Sequence, residues 1–253
     1  MSVKTKRRNE SFLIAGLLLL ISTQAPAEAG SASQQRNAQL KDVGRIVGRV
    51  LVEGHFEKPG PLKVFKNRDF CGLQVPNESL LVGPRGGLQN VVVTIPRARG
   101  EKIASPSKSL VLDNRNCAFV PHVQVASIGS EILLLNSDPI LHDVHARLGS
   151  ETLFNEGLPT WRQVKKRLTR AGIIAIHCEV LHTWMSAYIL VTSSPYFAVS
   201  DEKGEFVIED VPAGTREIKI WHEKLGAQSK TVSLAAGSEL RVDFDYPLKK
   251  RGM

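Results

Sequence analysis

The sequence predicts an all-β protein in which one small β-sandwich is set into another, and composition, turn spacing and the lack of a capped helical stripe carry that expectation. Valine, isoleucine and threonine run through all 253 residues together with 20 glycines and 13 prolines, a composition of short strands joined by turns. Only one segment carries a helical signal. There Trp161, Val164 and Leu168 fall at helical spacing, but the same residues also alternate, so helix and strand both stay open. With 42% hydrophobic residues the chain can bury one large core or two small ones, which excludes disorder as a description of the whole.

Taken in order, the first 27 residues read as an export signal. Lys4, Lys6, Arg7 and Arg8 precede an apolar run from Phe12 to Ile21, and small residues follow that offer cleavage after Ala27 or Ala29. The run is short for a bilayer span, so the expectation is a periplasmic or secreted protein with no stable membrane insertion after cleavage. Residues 28–41 are polar and small and read as a flexible lead. The formal net charge of +8 is partly terminal, and the remaining bases are interspersed with acids and not with aromatics, which gives no sign of nucleic acid.

Strands are expected at Arg45 to Val52, Leu62 to Phe65, Asn90 to Ile95, Ser109 to Leu112, Val123 to Ala126 and Glu131 to Leu135. Further ones are expected at Gly172 to Cys178, Ser186 to Thr192, Glu205 to Ile208, Glu217 to His222 and Arg241 to Phe244. An oxidising compartment tends to pair two of three cysteines. Cys71 and Cys117 sit among turn-like polar residues, which suits a disulfide between them. Cys178 ends an apolar strand with His177 and His182 beside it, which suits a metal.

The chemistry concentrates in two stretches: Asn136-Ser-Asp-Pro-Ile-Leu-His142-Asp-Val-His145, and Ala171 to Met185 with its C-x3-H-x2-M spacing. Cys178, His182, Met185 and the distant His142 supply a thiolate, two imidazoles and a thioether. That soft-to-borderline set suits a copper ion cycling between two oxidation states, on a loop stiff enough that neither state relaxes far. Zinc is less suited, because methionine is a poor fourth donor. A merely buried Cys178 would leave an unpaired thiol in an oxidising compartment. There is no Gly-x-Ser-x-Gly, no phosphate-cradling glycine loop and no His-Glu-x-x-His, so hydrolase and kinase readings have no support.

These residues resemble the cupredoxin family of blue copper proteins, in the strand before Cys178, the ligand loop and an asparagine six residues before the first histidine. The resemblance implies one copper ion held by His142, Cys178, His182 and Met185, and electron exchange with a redox protein such as a cytochrome. The basic group Lys165, Lys166, Arg167 and Arg170 is a candidate to dock an acidic partner. Position 174, where a dinuclear centre similar to that of cytochrome oxidase would have a cysteine, is Ile. Asp143 stands where plastocyanin-like members have an asparagine, and an ionised carboxylate cannot donate a hydrogen bond across the loops. A second, catalytic copper at His145 and His177, with His122 as third imidazole, would resemble copper nitrite reductases and is the enzymatic alternative.

The tail from Tyr196 to Ile220, with its Asp201 to Gly204 and Pro212-Ala-Gly turns, resembles the second half of the carboxypeptidase regulatory-like, carbohydrate-binding-like sandwich, and Gly44 to Val52 with Asn90 to Ile95 resembles its first half. The implied organisation is 42–104 plus 194–249 as one discontinuous sandwich, with 105–193 as a cupredoxin-like copper domain plugged into it. The combination resembles proteins labelled methylamine utilisation proteins. A non-redox module that binds carbohydrate, or stores or delivers copper, is the alternative to an electron carrier.

Overall fold

The computed structural model describes residues 42–54, 56–101, 103–106 and 110–247; the expected export signal and flexible lead lie outside the described residues. Among the described residues the protein is all-β, with two apolar cores. No helix among them is long and apolar enough to cross a membrane.

The first core is built by residues from both ends of the described chain. Ile46, Val50, Leu88, Val93, Phe206, Ile220 and Phe244 belong to it. One of its sheets centres on β1 (Val43–Glu53), which pairs antiparallel with β15 (Glu205–Pro212). On its other edge β1 runs parallel to β18 (Glu239–Arg241) and then to β19 (Phe244–Pro247). The other sheet has the order β14 (Phe197–Val199), β4 (Val92–Thr94), β16 (Gly214–His222) and β17 (Gly226–Leu234). The alternation of β1, apolar at Ile46, Val50 and Val52, is the ordinary pattern of a strand with one face on a core.

The single strand expected from Arg241 to Phe244 is two strands. The Val242 N–H still bonds the Val47 carbonyl at 2.8 Å, but the Val242 carbonyl turns in over Gly48, and a Cβ on Gly48 would lie 1.9 Å from that oxygen. The Asp243 carboxylate fills the gap by accepting the Arg49 N–H at 2.8 Å. Gly48→Ala is therefore expected to destabilise the fold by about 3 kcal/mol, since backbone and not a flexible side chain must give way. A denaturant midpoint unchanged from wild type would show that the crossing is looser than its geometry.

The second core holds Leu112, Phe119, Ile132, Leu134, Val144, Ile174, Ile176 and Ile189. One sheet runs β10 (Glu151–Leu158), β9 (His142–Leu148), β12 (Gly172–His177), β13 (Ser186–Thr192), β7 (Val123–Ser127). The facing sheet runs β11 (Gln163–Arg167), β8 (Glu131–Asn136), β5 (Leu110–Arg115), β6 (Ala118–Val120). The segment with mixed helix and strand signals is thus the strand β11. Pairing with β8 takes up the backbone groups on one side of this edge strand, Leu168 is buried, and Trp161 stands exposed.

A small ribbon of β2 (Leu62–Lys63) and β3 (Gln74–Val75), with a helical turn at Arg68–Cys71 between its strands, falls inside the range expected for the first sandwich. Its apolar residues Val64 and Val75 nevertheless pack on the second core. The reason is covalent: Cys71 is bonded to Cys117, which follows β5. Closing a loop across 46 residues lowers the entropy of the unfolded chain by an amount equivalent to about 4 kcal/mol.

Between the strands of the two cores, Tyr188 packs edge-on against Trp221, and His122 bonds the Glu223 carboxylate. A cleft of about 290 Å³ opens beside this seam. His222, which precedes Glu223 in the chain, is buried, with its Nδ1 accepting the Lys224 N–H at 3.2 Å. Burial lowers its pKa to about 4 from 6.5, with the His122 and Lys224 charges adding to the effect and Glu223 opposing it. The unfolded chain takes up this proton first, so the contribution to stability is complete above about pH 6.5 and is lost as pH falls toward 4. Unfolding free energies of wild type and His222→Gln should diverge over that window, with the pH slope reduced in the variant by about 3 kcal/mol in total. Parallel slopes would mean that His222 is protonated within the fold.

Candidate metal centre

β9 and β12 are antiparallel neighbours that pair His177 with His145. His142, the first residue of β9, and Cys178, one past the end of β12, therefore come to the same end of one sheet. The chain then turns back through Leu181, whose φ of 70° is left-handed, and the Met185 N–H closes the turn on the His182 carbonyl at 2.9 Å. The result brings together three of the four expected ligands. Sγ of Cys178 lies 3.9 Å from Nδ1 of His142 and 3.6 Å from Nδ1 of His182, and the two ring nitrogens are 3.0 Å apart. Together these three side chains form a group able to hold a metal ion. Met185 follows on the same turn, buried in the same apolar cluster.

The donor geometry fits an ion. Bonds of about 2.0 Å to nitrogen and 2.3 Å to sulfur, spread evenly in a plane, put sulfur and nitrogen about 3.7 Å apart and the nitrogens about 3.5 Å apart. The sulfur distances agree, and the two rings would open by about half an ångström.

Outer contacts hold the rings in this orientation. Nε2 of His142 lies 2.9 Å from the Asp138 carboxylate, and Nε2 of His182 lies 2.9 Å from Oδ1 of Asn67. Burial alone would raise the pKa of Asp138, but hydrogen bonds from His142, Cys117 and Asn116 outweigh it and hold the acid below its ordinary value. Ionised, Asp138 accepts a hydrogen bond from Nε2–H of His142, and the Asn67 amide oxygen accepts one from Nε2–H of His182. Both Nδ1 lone pairs are then aimed at one another and at sulfur, an arrangement that a shared proton or a metal cation relieves.

Burial pushes the Cys178 thiol up to about 12, with the Asp143 carboxylate adding to the effect and the Asp143 N–H, aimed at the sulfur, opposing it. Burial also lowers His182 to about 4, with its neighbour His142 adding to the effect. At neutral pH the group thus holds a thiol and a neutral His182, and a cation that binds must displace the thiol proton.

Asp143 corrects an expectation. It need not donate across the loops, because its Oδ1 accepts the N–H groups of Glu179 at 2.6 Å and Val180 at 3.0 Å. The groups it meets are donors, for which a carboxylate is better matched than an amide. Asn136 braces the approach to His142, donating to the carbonyls of Ile140 and Leu158 while its Oδ1 accepts the Asp138 N–H.

Two of the other candidate histidines, His122 and His145, have both ring nitrogens engaged. His145 is bonded at Nδ1 by Glu179 and at Nε2 by Thr152, so neither nitrogen is left for a metal. His177 lies beside it in register, exposed, and His122 is engaged by Ser186 and Glu223. Among the described residues, one further cluster of Cys117, Asp138 and His142 has metal-like spacing, but Cys117 is in the disulfide and offers no thiolate. Of the basic group, Lys166 pairs with Glu156, Arg167 with Glu131 and Arg170 with Glu151, so most of its charge is compensated.

Two residues at the centre carried no weight in the sequence reading. Asp138 had a local signal, a carboxylate four residues before a ligand histidine. Asn67, which is 115 residues before His182, had none.

No family model matches the chain, and no curated protein does. The solved structures it is similar to include a copper-containing nitrite reductase from Thermus scotoductus SA-01, at 21% identity over 39% of this chain and 25% of that one, with a TM-score of 0.32. A purple cupredoxin from Nitrosopumilus maritimus is similar at 18% identity, over 34% of this chain and 100% of that one, with a TM-score of 0.30. The reduced state of an amicyanin mutant is similar at 21% identity, over 40% of this chain and 98% of that one, with a TM-score of 0.30. The chain spans a quarter of the nitrite reductase it matches, and its structural neighbours are cupredoxins that resemble part of its length.

Proposed function

We propose that the protein is an exported module that binds one copper ion and carries electrons. The observation that supports this most is the buried convergence of Cys178, His142 and His182, with Met185 on the same turn. Sulfur with two imidazoles serves both oxidation states of copper, whereas a structural zinc wants a fourth good donor. When bound, copper supplies one-electron chemistry. The chain's own part is to keep the donors dry and stiff through Asp138, Asn67, Asp143 and the Trp184 ring, which lies 5.1 Å from that of His182.

His142, Cys178 and His182 are each at most 2% exposed, which favours electron carriage over turnover because no substrate reaches them. Leu141 and Leu181, each next to a ligand histidine and at least half exposed, would meet the redox partner. Export rests on the first 27 residues alone. The inserted organisation, 105–193 within 42–104 plus 194–249, is part of this reading and is supported by the two separate apolar clusters. Carbohydrate binding gains little, because Phe206, Phe244 and Tyr246 lie inside their core and not on a stacking platform.

Mature protein titrated with Cu(II) is expected to develop intense visible absorption, saturating at one copper per chain, and to cycle reversibly when reduced and reoxidised. Release of the metal on reduction would favour delivery, and a protein that binds no copper would reject the reading.

A further inference from the structure

The outer contact on His182 comes from an unexpected place. Asn67 belongs to the ribbon between β2 and β3, remote in sequence from every ligand, and it begins the helical turn Arg68–Cys71 with φ 54° and ψ 40°. Its carbonyl accepts the N–H groups of Phe70 and Cys71, and the turn is braced by Arg68 bonding the Val64 carbonyl at 2.9 Å. An asparagine at a helix start ordinarily turns its side chain inward to cap the free N–H groups. This one makes no such bond. Its amide oxygen instead lies 2.9 Å from Nε2 of His182, which is almost wholly buried.

The turn is held at that station covalently. It ends at Cys71, bonded to Cys117. Cys117 in turn donates its N–H to Asp138 at 2.8 Å and accepts the Trp184 indole N–H at 3.0 Å. The groups that grip Nε2 of both ligand imidazoles, Asn67 and Asp138, are thus joined through one disulfide.

We propose that Asn67 is a positioning residue for His182: its amide oxygen keeps the proton on Nε2 and so presents Nδ1 to Cys178 and His142. The proposal rests on reading the three residues as a metal centre. A ring bonded on its outer edge cannot turn over without leaving a buried N–H unpaired, so the inner nitrogen stays aimed at sulfur whatever the metal's oxidation state.

Two variants separate this from a simple turn-forming role. Asn67→Gly keeps the left-handed backbone and removes the acceptor, whereas Asn67→Asp keeps an oxygen at the same place. The first measurement is made without metal, on the imidazole 15N resonances of the mature protein. Asn67→Gly is expected to shift the His182 Nε2 resonance and leave that of His222 unchanged, and Asn67→Asp is expected to restore it. The second is a competition titration with Cu(I), in which Asn67→Gly is expected to lose about tenfold or more in affinity and Asn67→Asp to lose less.

His182 resonances identical in wild type and Asn67→Gly would overturn the proposal, whether or not copper binds. If the resonances respond as expected while wild type binds no copper, the hydrogen bond stands, and the metal-centre reading, with any positioning of a ligand, falls. Unchanged Cu(I) affinity and spectrum in Asn67→Gly would also overturn it, because the ring would then be oriented by something else.

Discussion

Replacing Cys178 with serine is expected to abolish the visible absorption of the copper-loaded protein while leaving the fold almost as stable as before. The two effects separate because sulfur does little for packing here. The thiol is 2% exposed, and the nearest donor to it is the Asp143 N–H at 3.5 Å, a bond that a hydroxyl oxygen can also accept. A loss of about 1 kcal/mol in unfolding free energy is the expected scale. The electronic effect is total, since the absorption arises from charge transfer between a thiolate and the metal. Loss of an outer partner costs a metal site about 10–100-fold in affinity, and loss of this donor should exceed that. Visible spectroscopy with a copper competition titration, alongside denaturant unfolding, measures all three quantities. A variant that keeps the colour would exclude Cys178 as a ligand. A variant that fails to fold would mean that the thiol serves mainly as a core group.

Asp138→Ala is expected to do the opposite, weakening the metal site and the fold together. One carboxylate accepts the N–H of Asn116 at 2.7 Å, the N–H of Cys117 at 2.8 Å and Nε2 of His142 at 2.9 Å. The first two belong to a turn in which Asn116 and Cys117 both have positive φ, a conformation that costs energy for residues other than glycine and needs outside support. Removing the acceptor leaves buried donors unpaired, and a destabilisation of about 3 to 4 kcal/mol is expected. His142 then loses the contact that fixes its tautomer, and copper affinity should fall about 10–100-fold. Wild-type affinity in Asp138→Ala would mean that the ring is held by packing alone. Wild-type stability would mean that the turn at Cys117 supports itself.

How much could be read without coordinates follows burial. β1, β12 and β13 were legible because one face of each meets a core and the residues alternate or run apolar accordingly. β17 was not, because its nine residues are mostly exposed and pairing with β16 makes it a strand. The hairpin of β9 and β10 hid for a related reason. β9 buries His142, Asp143 and His145, polar residues that break any hydrophobic pattern. They are inside because each has a partner: His142 bonds Asp138, four residues before it, whereas His145 and Asp143 bond Glu179 and Val180, 34 to 37 residues on.

The same physical division runs through the metal centre. Cysteine, histidine and methionine within eight residues are a local signal, and their chemistry belongs to the residue types themselves, so the donor set and the β class followed from sequence alone. That Asn67 holds the outer edge of the His182 ring, that Asp143 accepts instead of donating, and that Cys117 bonds Asp138 and is tied by its disulfide to the turn Asn67 begins were decided only by tertiary structure. A hydrogen bond is specified by a few tenths of an ångström and a direction, and for Asn67 and His182, 115 positions apart, those are set by how two sheets and a disulfide pack, which no local pattern encodes.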